Sequence, residues 1–246
     1  MTALPLRPGC DQTRVLYQDE RTALIHGDAR EMAEVPAAAV DLIITDPPFN
    51  LGVRYGTASK DRRPPSLYGA WTGEWLRECL RVLKPGGQLY ALMPLKWVPW
   101  WLPYVPQPFR ILAWCKTMAH LHREKTYIRA WEPVLWLVKG GGLPATFHPR
   151  DGEELDWFTG SNALGESRRI PQKRRHPTPR PDWLYERFIL ESSEPDMVVC
   201  DPMMGSGTGA YVARKLGRRF IGYDIEEKYV HLASERVFGI NESKGG

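Results

Sequence analysis

The sequence predicts an α/β fold in which a doubly wound, mostly parallel sheet carries helices on both faces. Two observations support this prediction. Short apolar runs rich in β-branched residues alternate along the chain with segments of helical periodicity, as repeated strand–helix units require. Glycine and proline, 22 of each, separate these segments at short intervals. Because right-handed crossovers join parallel strands, functional residues in such a fold collect at the strand ends.

The individual elements follow from local patterns. Residues 40–45 form a short β-branched run typical of a buried parallel strand. Apolar residues recur three and four positions apart over residues 71–84, which predicts an amphipathic helix ended by Pro85-Gly86-Gly87. Residues 51–68, with several Arg, Gly, Ser and Pro, are expected to form an exposed loop. Further strands are expected at residues 88–93, 110–114, 133–138, 196–200 and 219–223, and further helices at 182–191, 208–216 and 226–237.

Length and composition limit the classes of protein to be considered. The 246 residues suit one domain, residues 1–246, with room for a modest insertion. The net charge of +4 permits a nucleic-acid partner without requiring one. No two of the four cysteines have C-x-x-C spacing, which argues against a zinc site. The N-terminus lacks a signal-peptide pattern, and no apolar stretch approaches the roughly 18 residues of a membrane span. We therefore expect a cytoplasmic protein without metal or membrane partner.

A glycine-rich segment, Asp201–Gly209, lies between a predicted strand and a predicted helix, the context of a nucleotide-binding loop. Its glycines allow a tight turn, and free N–H groups at the helix start can bind an anion such as a carboxylate. Asp224 ends the next predicted strand, 19 residues after Gly205, where an acid can accept hydrogen bonds from both hydroxyls of a ribose. A structural turn with a helix-capping aspartate is the alternative. The loop alone does not distinguish NAD from S-adenosylmethionine.

The segment Asp46-Pro47-Pro48-Phe49 follows the strand at 40–45. The prolines cannot continue a sheet ladder and fix a rigid backbone. The Asp46 carboxylate and the Pro47 carbonyl could hold the two hydrogens of an aromatic amine, which frees its lone pair to attack a methyl sulfonium. Phe49 could stack on a base flipped from a duplex. A proline-rich turn with a buried Phe and a capping Asp is the alternative.

In these motifs and their order, the sequence resembles the beta class of DNA amino-methyltransferases. There a catalytic Asp/Asn/Ser-Pro-Pro-aromatic motif precedes a cofactor motif, Asp-Pro-Phe-x-Gly-Ser-Gly-Thr. Further matches bring the resemblance to roughly residues 24–238, and they lie at residues 25–29, 81–87, 114–116, 176–181 and 216–224. The resemblance implies a circularly permuted, Rossmann-like S-adenosylmethionine-dependent methyltransferase fold. It also implies methylation of DNA at an exocyclic amino group, with Asp46 favouring N6 of adenine.

The resemblance also implies roles for particular residues. The catalytic residues would be Asp46, Pro47, Pro48 and Phe49. The cofactor-binding residues would be Asp28, Ala29, His176, Pro177, Thr178, Asp201, Pro202, Met203, Gly205, Ser206, Gly207, Thr208 and Asp224. Two positions depart from the family pattern, since Met203 replaces the usual Phe and Arg180 the usual Lys. Neither departure removes a group that the chemistry needs.

A basic run in the second half of the chain points to double-stranded DNA as the partner. Phosphate contact is expected from Arg168, Arg169, Lys173, Arg174 and Arg175. A solvated basic loop is the alternative. Residues 140–175 correspond to the family's target-recognition insert. The insert is short, which suggests a short target or the help of a second subunit in a homodimer.

Three other functions compete with N6-adenine methylation. A DNA N4-cytosine methyltransferase would use the same mechanism with a different base pocket. A non-catalytic DNA-binding protein could keep the fold, but the intact Asp46, Asp224 and glycines argue against it. A nicotinamide oxidoreductase would leave the Asp46–Phe49 segment unexplained. A role beside a restriction nuclease and a role as an orphan enzyme are both open.

Overall fold

A computed structural model describes residues 3–58, 61–117, 127, 130–149, 155–161 and 180–239. Within these residues the strands are β1 (Val15–Gln18), β2 (Thr22–His26), β3 (Val40–Thr45), β4 (Leu83–Leu92), β5 (Phe109–Lys116), β6 (Trp131–Val138), β7 (Trp157–Gly160), β8 (Val198–Asp201) and β9 (Arg219–Asp224). The helices are α1 (Pro65–Val82), α2 (Val98–Trp101), α3 (Asp182–Ser192), α4 (Thr208–Lys215) and α5 (Glu227–Phe238). Two short 3₁₀ turns, Leu95–Trp97 and Leu102–Tyr104, flank α2.

The strands form one sheet in the order β1-β2-β9-β8-β3-β4-β6-β5-β7. The five strands from β2 to β4 in this order are all parallel to one another. Strands β1 and β6 run antiparallel to their neighbours, whereas β7 pairs with β5 in parallel. The predicted mostly parallel α/β sheet is therefore confirmed. Its central strands β3, β8 and β9 end at the same edge, which brings together residues far apart in the sequence.

Helices cover both faces of the sheet, because alternate residues of each central strand point to opposite sides. Ile43 of β3 belongs to the core under α1, with Trp75 and Cys79 of that helix. The neighbouring Leu42 and Ile44 belong to the opposite core, under α3, α4 and α5. The doubly wound arrangement predicted from the strand–helix alternation is confirmed by these two cores.

Helix α1 begins earlier than the expected start at residue 71. It starts at Pro65, whose missing N–H costs nothing at the first helical position. Tyr68 is fully buried in the first turn, so the prediction of an exposed loop over residues 51–68 was wrong at its C-terminal end. The loop is also less exposed than expected in its middle, since Asp61 is buried.

Strand β4 also differs from its prediction. It begins at Leu83 rather than residue 88 and includes Pro85-Gly86-Gly87, which was expected to act as a break. Gly86 adopts a φ of 74°, and a register shift between Val40 and Leu42 of β3 absorbs the irregularity. The ladder continues because Gly86 donates to the Lys139 carbonyl and Lys139 donates to the Gly87 carbonyl, both at 2.9 Å. Tertiary pairing therefore overrides a local turn signal here.

The other predicted elements are confirmed within two residues at their ends, as strands β3, β5, β6, β8 and β9 and helices α3, α4 and α5. The sequence analysis did not predict β1, β2, β7 or the α2 segment. The α2 segment is a single turn, and β1, β2 and β7 lack the adjacent β-branched residues that indicated β3 and β8. In the described part of the chain, no helix is both long and apolar enough to cross a membrane.

Candidate active site

The carboxyl ends of β3, β8 and β9 open into a cleft of about 660 Å³. Both sets of residues singled out from the sequence line it, although β3 and β9 lie far apart in the chain. The predicted site residues in its wall are Asp28, Ala29, Asp46, Pro48, Pro202, Met203, Gly205, Ser206, Thr208 and Asp224. The fold therefore places the Asp46 motif and the glycine loop around one shared space.

The glycine loop turns from β8 into α4 through two residues of positive φ. Gly205 has φ 51°, and Gly207, the residue before α4, has φ 75°. A side chain on Gly207 would meet Ala233 of α5, since its Cβ would lie 2.7 Å from the Ala233 Cβ. Glycine is thus required at position 207 both by conformation and by close packing.

Asp224, at the end of β9, holds this loop in place. Its carboxylate accepts hydrogen bonds from the N–H of Gly205 and the N–H of Glu226, both at 2.9 Å. Burial raises the pKa of Asp224 to about 7, against the lowering effect of the two backbone N–H groups. A carboxylate has about four acceptor positions, so these two bonds leave room for donors from the cleft.

Asp201 lies behind the loop and is not among the residues that line the cleft. Its carboxylate accepts from the Met203 N–H at 3.1 Å and from the Tyr185 hydroxyl at 3.2 Å. It is fully buried, and burial raises its pKa to about 7. In this arrangement Asp201 fixes the shape of the loop through Met203 and connects it to α3.

Asp28 lines the cleft just after β2 and lies close to Asp224, because the N–H of the preceding Gly27 donates to the Asp224 carbonyl at 2.9 Å. The Arg30 guanidinium pairs with it at 2.7 Å and also reaches Glu74 of α1 at 2.9 Å. Burial would raise the pKa of Asp28, but the hydrogen bonds and charge of Arg30 outweigh it and lower that pKa. Asp28 is therefore held as a carboxylate at the rim of the cleft.

The Asp46 motif leaves β3 in a fixed conformation. The Tyr68 hydroxyl of α1 donates to the Pro48 carbonyl at 2.9 Å. The Asp46 carboxylate pairs with Arg180 through two hydrogen bonds, from Nε at 2.7 Å and from Nη2 at 2.9 Å. Burial raises the pKa of Asp46, and the charge of Arg180 opposes that rise. Phe49 is partly buried and packs against the core under α3 to α5.

The segment after Phe49 is shaped by a buried aspartate that the sequence analysis did not identify. Asp61 accepts from the backbone N–H groups of Asn50 at 2.5 Å, Leu51 at 3.1 Å and Val53 at 2.8 Å. Asn50, with φ 55°, closes the segment through two hydrogen bonds to the backbone of Arg63. The Asn50 at the end of the motif was the available signal, since Asn tolerates positive φ and bonds to nearby backbone.

Glu226 connects the same segment to the end of β9, two residues after Asp224. Its carboxylate accepts from the Thr57 N–H at 3.2 Å and the Ala58 N–H at 2.8 Å. The Tyr229 hydroxyl donates to the Tyr55 carbonyl at 2.8 Å. Tyr55 and Ala58 also line the cleft, so the segment forms part of its wall. No pattern in the sequence had indicated a role for Glu226.

Some predicted site residues lie outside the described residues. They are His176, Pro177 and Thr178 of the cofactor set, and Arg168, Arg169, Lys173, Arg174 and Arg175 of the basic run. Among the residues that the structure describes, no group of three or more His, Cys, Asp or Glu side chains is arranged to hold a metal ion.

Comparison with known proteins places the chain in a family. The DNA adenine methyltransferase YhdJ of Escherichia coli (strain K12) is 31% identical to it, over 94% of this chain and 87% of that protein. The fold resembles that of PvuII DNA methyltransferase, described as cytosine-N4-specific, with a TM-score of 0.71, 21% identity and coverage of 93% and 90% of the two chains. A Thermus thermophilus protein described as a putative DNA modification methylase, solved in complex with S-adenosyl-L-methionine, is 26% identical, with a TM-score of 0.55 and coverage of 88% and 92%.

The family model described as DNA methylase matches residues 40–235. This range contains both the Asp46 motif and the glycine loop, and it spans well over half of the chain. The chain therefore belongs to the DNA methylase family.

Proposed function

We propose that this protein transfers the methyl group of S-adenosyl-L-methionine to the exocyclic N6 of adenine in double-stranded DNA. The observation that carries the proposal is the shared cleft, in which Asp46, directly after β3, lines the same space as Gly205 and Asp224. An acceptor for an amine and a binding site for a nucleoside are thereby adjacent.

The residues of the glycine loop fit S-adenosyl-L-methionine. Asp224 offers a buried carboxylate to the two ribose hydroxyls, and the first turn of α4 offers backbone N–H groups to the carboxylate of the methionine part. Asp28 and Ala29, which line the cleft after β2, would lie near the adenine, as expected from the family resemblance. His176, Pro177 and Thr178 are proposed to contact the methionine part. When bound, the cofactor supplies a methyl group on a positively charged sulfur.

The Asp46 motif would prepare the target nitrogen. An exocyclic amino group is a weak nucleophile because its lone pair is delocalised into the ring. Hydrogen bonds from that amine to the Asp46 carboxylate and the Pro47 carbonyl would localise the lone pair, and they strengthen as positive charge develops on the nitrogen. Phe49 would stack on the flipped base, and Pro48 would help to orient that base. The reaction needs no covalent bond between protein and DNA.

N4 of cytosine is the second candidate for the target atom. The fold likeness to a methyltransferase described as cytosine-N4-specific favours it, whereas the E. coli relative is an adenine methyltransferase. Asp rather than Ser in the catalytic motif favours adenine. Both reactions use the same acceptors, so the choice lies in the base pocket.

DNA phosphates are proposed to contact the basic run of Arg168, Arg169, Lys173, Arg174 and Arg175. Lys and Arg neutralise phosphate without reading sequence, so this contact would position the duplex over the cleft. The insert within residues 140–175 would read the target. Because it is short, a homodimer could supply further contacts.

Transfer of a tritiated methyl group from the cofactor to DNA of a methylation-free bacterial host, followed by nucleoside analysis, tests the proposal. N6-methyladenine is expected, N4-methylcytosine would replace the base assignment, and 5-methylcytosine would refute the mechanism. Replacement Asp46→Ala should reduce the rate by about 10²–10³-fold with cofactor binding mostly intact. Full activity in that variant would also refute the mechanism.

A further inference from the structure

Among the described residues, Arg180 is the charged group in closest contact with the proposed catalytic carboxylate. Its guanidinium donates to both oxygens of Asp46, at 2.7 and 2.9 Å, and its remaining nitrogen Nη1 donates to Glu132 at 2.8 Å. The side chains of Arg180, Asp46 and Glu132 are only 14%, 13% and 16% exposed. Three charged groups are thus almost enclosed, and two of them, Asp46 and Arg180, line the cleft.

The position of Arg180 is fixed from several sides. Its guanidinium carbon lies 5.2 Å from the centroid of the Phe49 ring and 5.9 Å from that of Trp114. Its backbone carbonyl faces the Thr208 hydroxyl at 3.5 Å, at the first residue of α4. One residue therefore connects the catalytic motif to the start of the helix behind the glycine loop. An arginine held this rigidly can set the orientation of the carboxylate that it binds.

The geometry leaves Asp46 able to accept further hydrogen bonds. A carboxylate offers about four acceptor positions, and Arg180 uses one on each oxygen. Asp46 and Arg180 both line the cleft. The paired donors of Arg180 fix the plane of the carboxylate, since a bidentate pair allows little rotation.

We propose that Arg180 is a positioning residue for methyl transfer, which holds the Asp46 carboxylate charged and oriented so that its remaining acceptor positions face the target amine. This inference rests on the proposed function. It assigns to Arg180 an action on Asp46 rather than direct contact with the base or the cofactor. Glu132 is the second anchor that keeps the guanidinium in place.

The charges around Asp46 determine how the site responds to pH. Burial raises the pKa of Asp46, Arg180 and Lys116 oppose that rise, and Glu132 adds to it. Among the described residues, the titratable and charged groups that face Asp46 from the neighbouring elements are Arg180, Lys116 of β5, Glu132 of β6, Asp201 of β8, Tyr185 of α3 and Tyr68 of α1. Lys116 pairs with Glu132, so the two carboxylates Asp46 and Glu132 are balanced by two cations. Removal of Arg180 would leave this cluster with an excess negative charge.

Single-turnover methylation measured against pH tests the inference. The purified protein is saturated with tritiated S-adenosyl-L-methionine and mixed with DNA from a methylation-free host. Arg180→Gln is expected to lower the rate near pH 7 by up to about 10²-fold, because the acceptor is misplaced. The acid limb of this variant's pH profile, the range where activity is lost on acidification, is expected to move to higher pH by about 1–3 units, because Asp46 loses the positive charge beside it. In Arg180→Lys, the acid limb is expected to return closer to its wild-type pH than the rate returns to its wild-type value. Lys supplies the charge but not the two paired donors.

Two further variants make the result independent of a folding defect. Glu132→Gln removes a negative neighbour of Asp46, so its acid limb is expected to move to lower pH. Arg187→Gln is the matched control, because Arg187 is 16% exposed, pairs with the buried Glu191 and lies over the Phe158 ring at 4.7 Å, outside the cleft. That control should keep the wild-type limb.

The outcomes separate this inference from the proposed function. An inactive wild-type protein on every DNA tested would overturn the proposed function. An active wild type whose acid limb is the same in Arg180→Gln would overturn only the role of Arg180. An unmoved or raised limb in Glu132→Gln would overturn it as well. Opposite shifts in the two variants, with cofactor affinity changed by less than about twofold, would establish the role.

Discussion

Asp224 combines a structural contact with an expected contact to the cofactor. Its carboxylate accepts hydrogen bonds from the backbone N–H groups of Gly205 and Glu226, and burial raises its pKa to about 7. A group with this pKa is partly protonated near neutral pH. Two ribose hydroxyls that donate to Asp224 would favour its charged form. Cofactor binding should therefore be coupled to the release of a proton.

The first prediction follows from this coupling. Affinity for S-adenosyl-L-methionine should rise with pH up to about 7 and change little above it, because below that pH binding must first remove a proton. Titration calorimetry in two buffers of different ionisation enthalpy measures the proton released. Asp224→Asn should abolish this component, and Asp224→Ala should weaken binding by about 1–3 kcal/mol. Equal proton release in wild type and Asp224→Asn would contradict the assignment.

Gly207 is a second position at which one residue decides the local structure. Its φ is 75°, and a Cβ there would overlap Ala233 of α5. Gly217 has nearly the same φ, 76°, but apart from its immediate chain neighbours no atom of the described residues lies within 4 Å of the place where its Cβ would be. The pair therefore separates the cost of the backbone conformation from the cost of the contact between the loop and α5.

The second prediction uses this pair. Gly217→Ala should lower the free energy of unfolding by about 1–2 kcal/mol, the cost of a left-handed conformation. Gly207→Ala should lower it by about 1–3 kcal/mol more, because α5 must also shift. Urea denaturation of both variants without cofactor measures the difference. If the two costs are equal, the packing of Gly207 on α5 is not what requires glycine.

The segment between β3 and α1 forms part of the wall of the cleft. Asp61 shapes it from within through three backbone N–H groups, and Glu226 and Tyr229 hold it to the start of α5. Gly56 allows this approach, since a Cβ there would lie 2.0 Å from an oxygen of the Glu226 carboxylate. Hydrogen bonds to Glu226 therefore hold the segment close to Asp224, which precedes Glu226 by two residues.

The third prediction concerns this fastening. Glu226→Ala should speed hydrogen exchange at the Thr57 and Ala58 amides and speed release of S-adenosyl-L-methionine, because the wall of the cleft opens more often. Stopped-flow displacement measures the release rate. Glu227→Ala is the control, since Glu227 lies next in sequence but is exposed and faces His231 at 3.5 Å. Faster exchange at the two amides without faster release would show that the segment does not retain the cofactor.

At the scale of the whole molecule, local signals predicted the central architecture. The β-branched run of β3, the glycine loop and the carboxyl end of β9 each occupy a few consecutive residues, so each is visible as a local pattern. The fold class follows from the alternation of predicted strands and helices. The predicted start of strand β4, residue 88, was wrong because Pro85-Gly86-Gly87 carries a turn signal that pairing with β6 overrides. The contact between Arg180 and Asp46 joins residues 134 positions apart, so no local pattern could indicate it.

The site also imposes a cost on the whole molecule. Asp201 and Asp224 are buried and Asp46 is mostly buried near the same edge of the sheet, and burial raises the pKa of each. Ordinary aspartates in the unfolded chain titrate near pH 4. Between that pH and about 7, the folded chain holds more protons at Asp201 and Asp224 than the unfolded chain. Their contribution to the free energy of unfolding therefore falls as pH rises through this range.

The fourth prediction tests this cost. Without cofactor, Asp224→Asn should have a free energy of unfolding that falls less steeply between about pH 5 and 7 than that of the wild type, by up to about 1.4 kcal/mol per pH unit for one proton. The slope is compared rather than the absolute stability, because asparagine also changes the hydrogen bonds to Gly205 and Glu226. Urea denaturation at half-unit pH steps measures it, with Asp156→Asn, at an exposed aspartate, as the control. Parallel profiles for wild type and Asp224→Asn would mean that Asp224 is already charged throughout this range in the folded protein. The expected proton release on cofactor binding would then fail together with it, since both follow from the same buried carboxyl group.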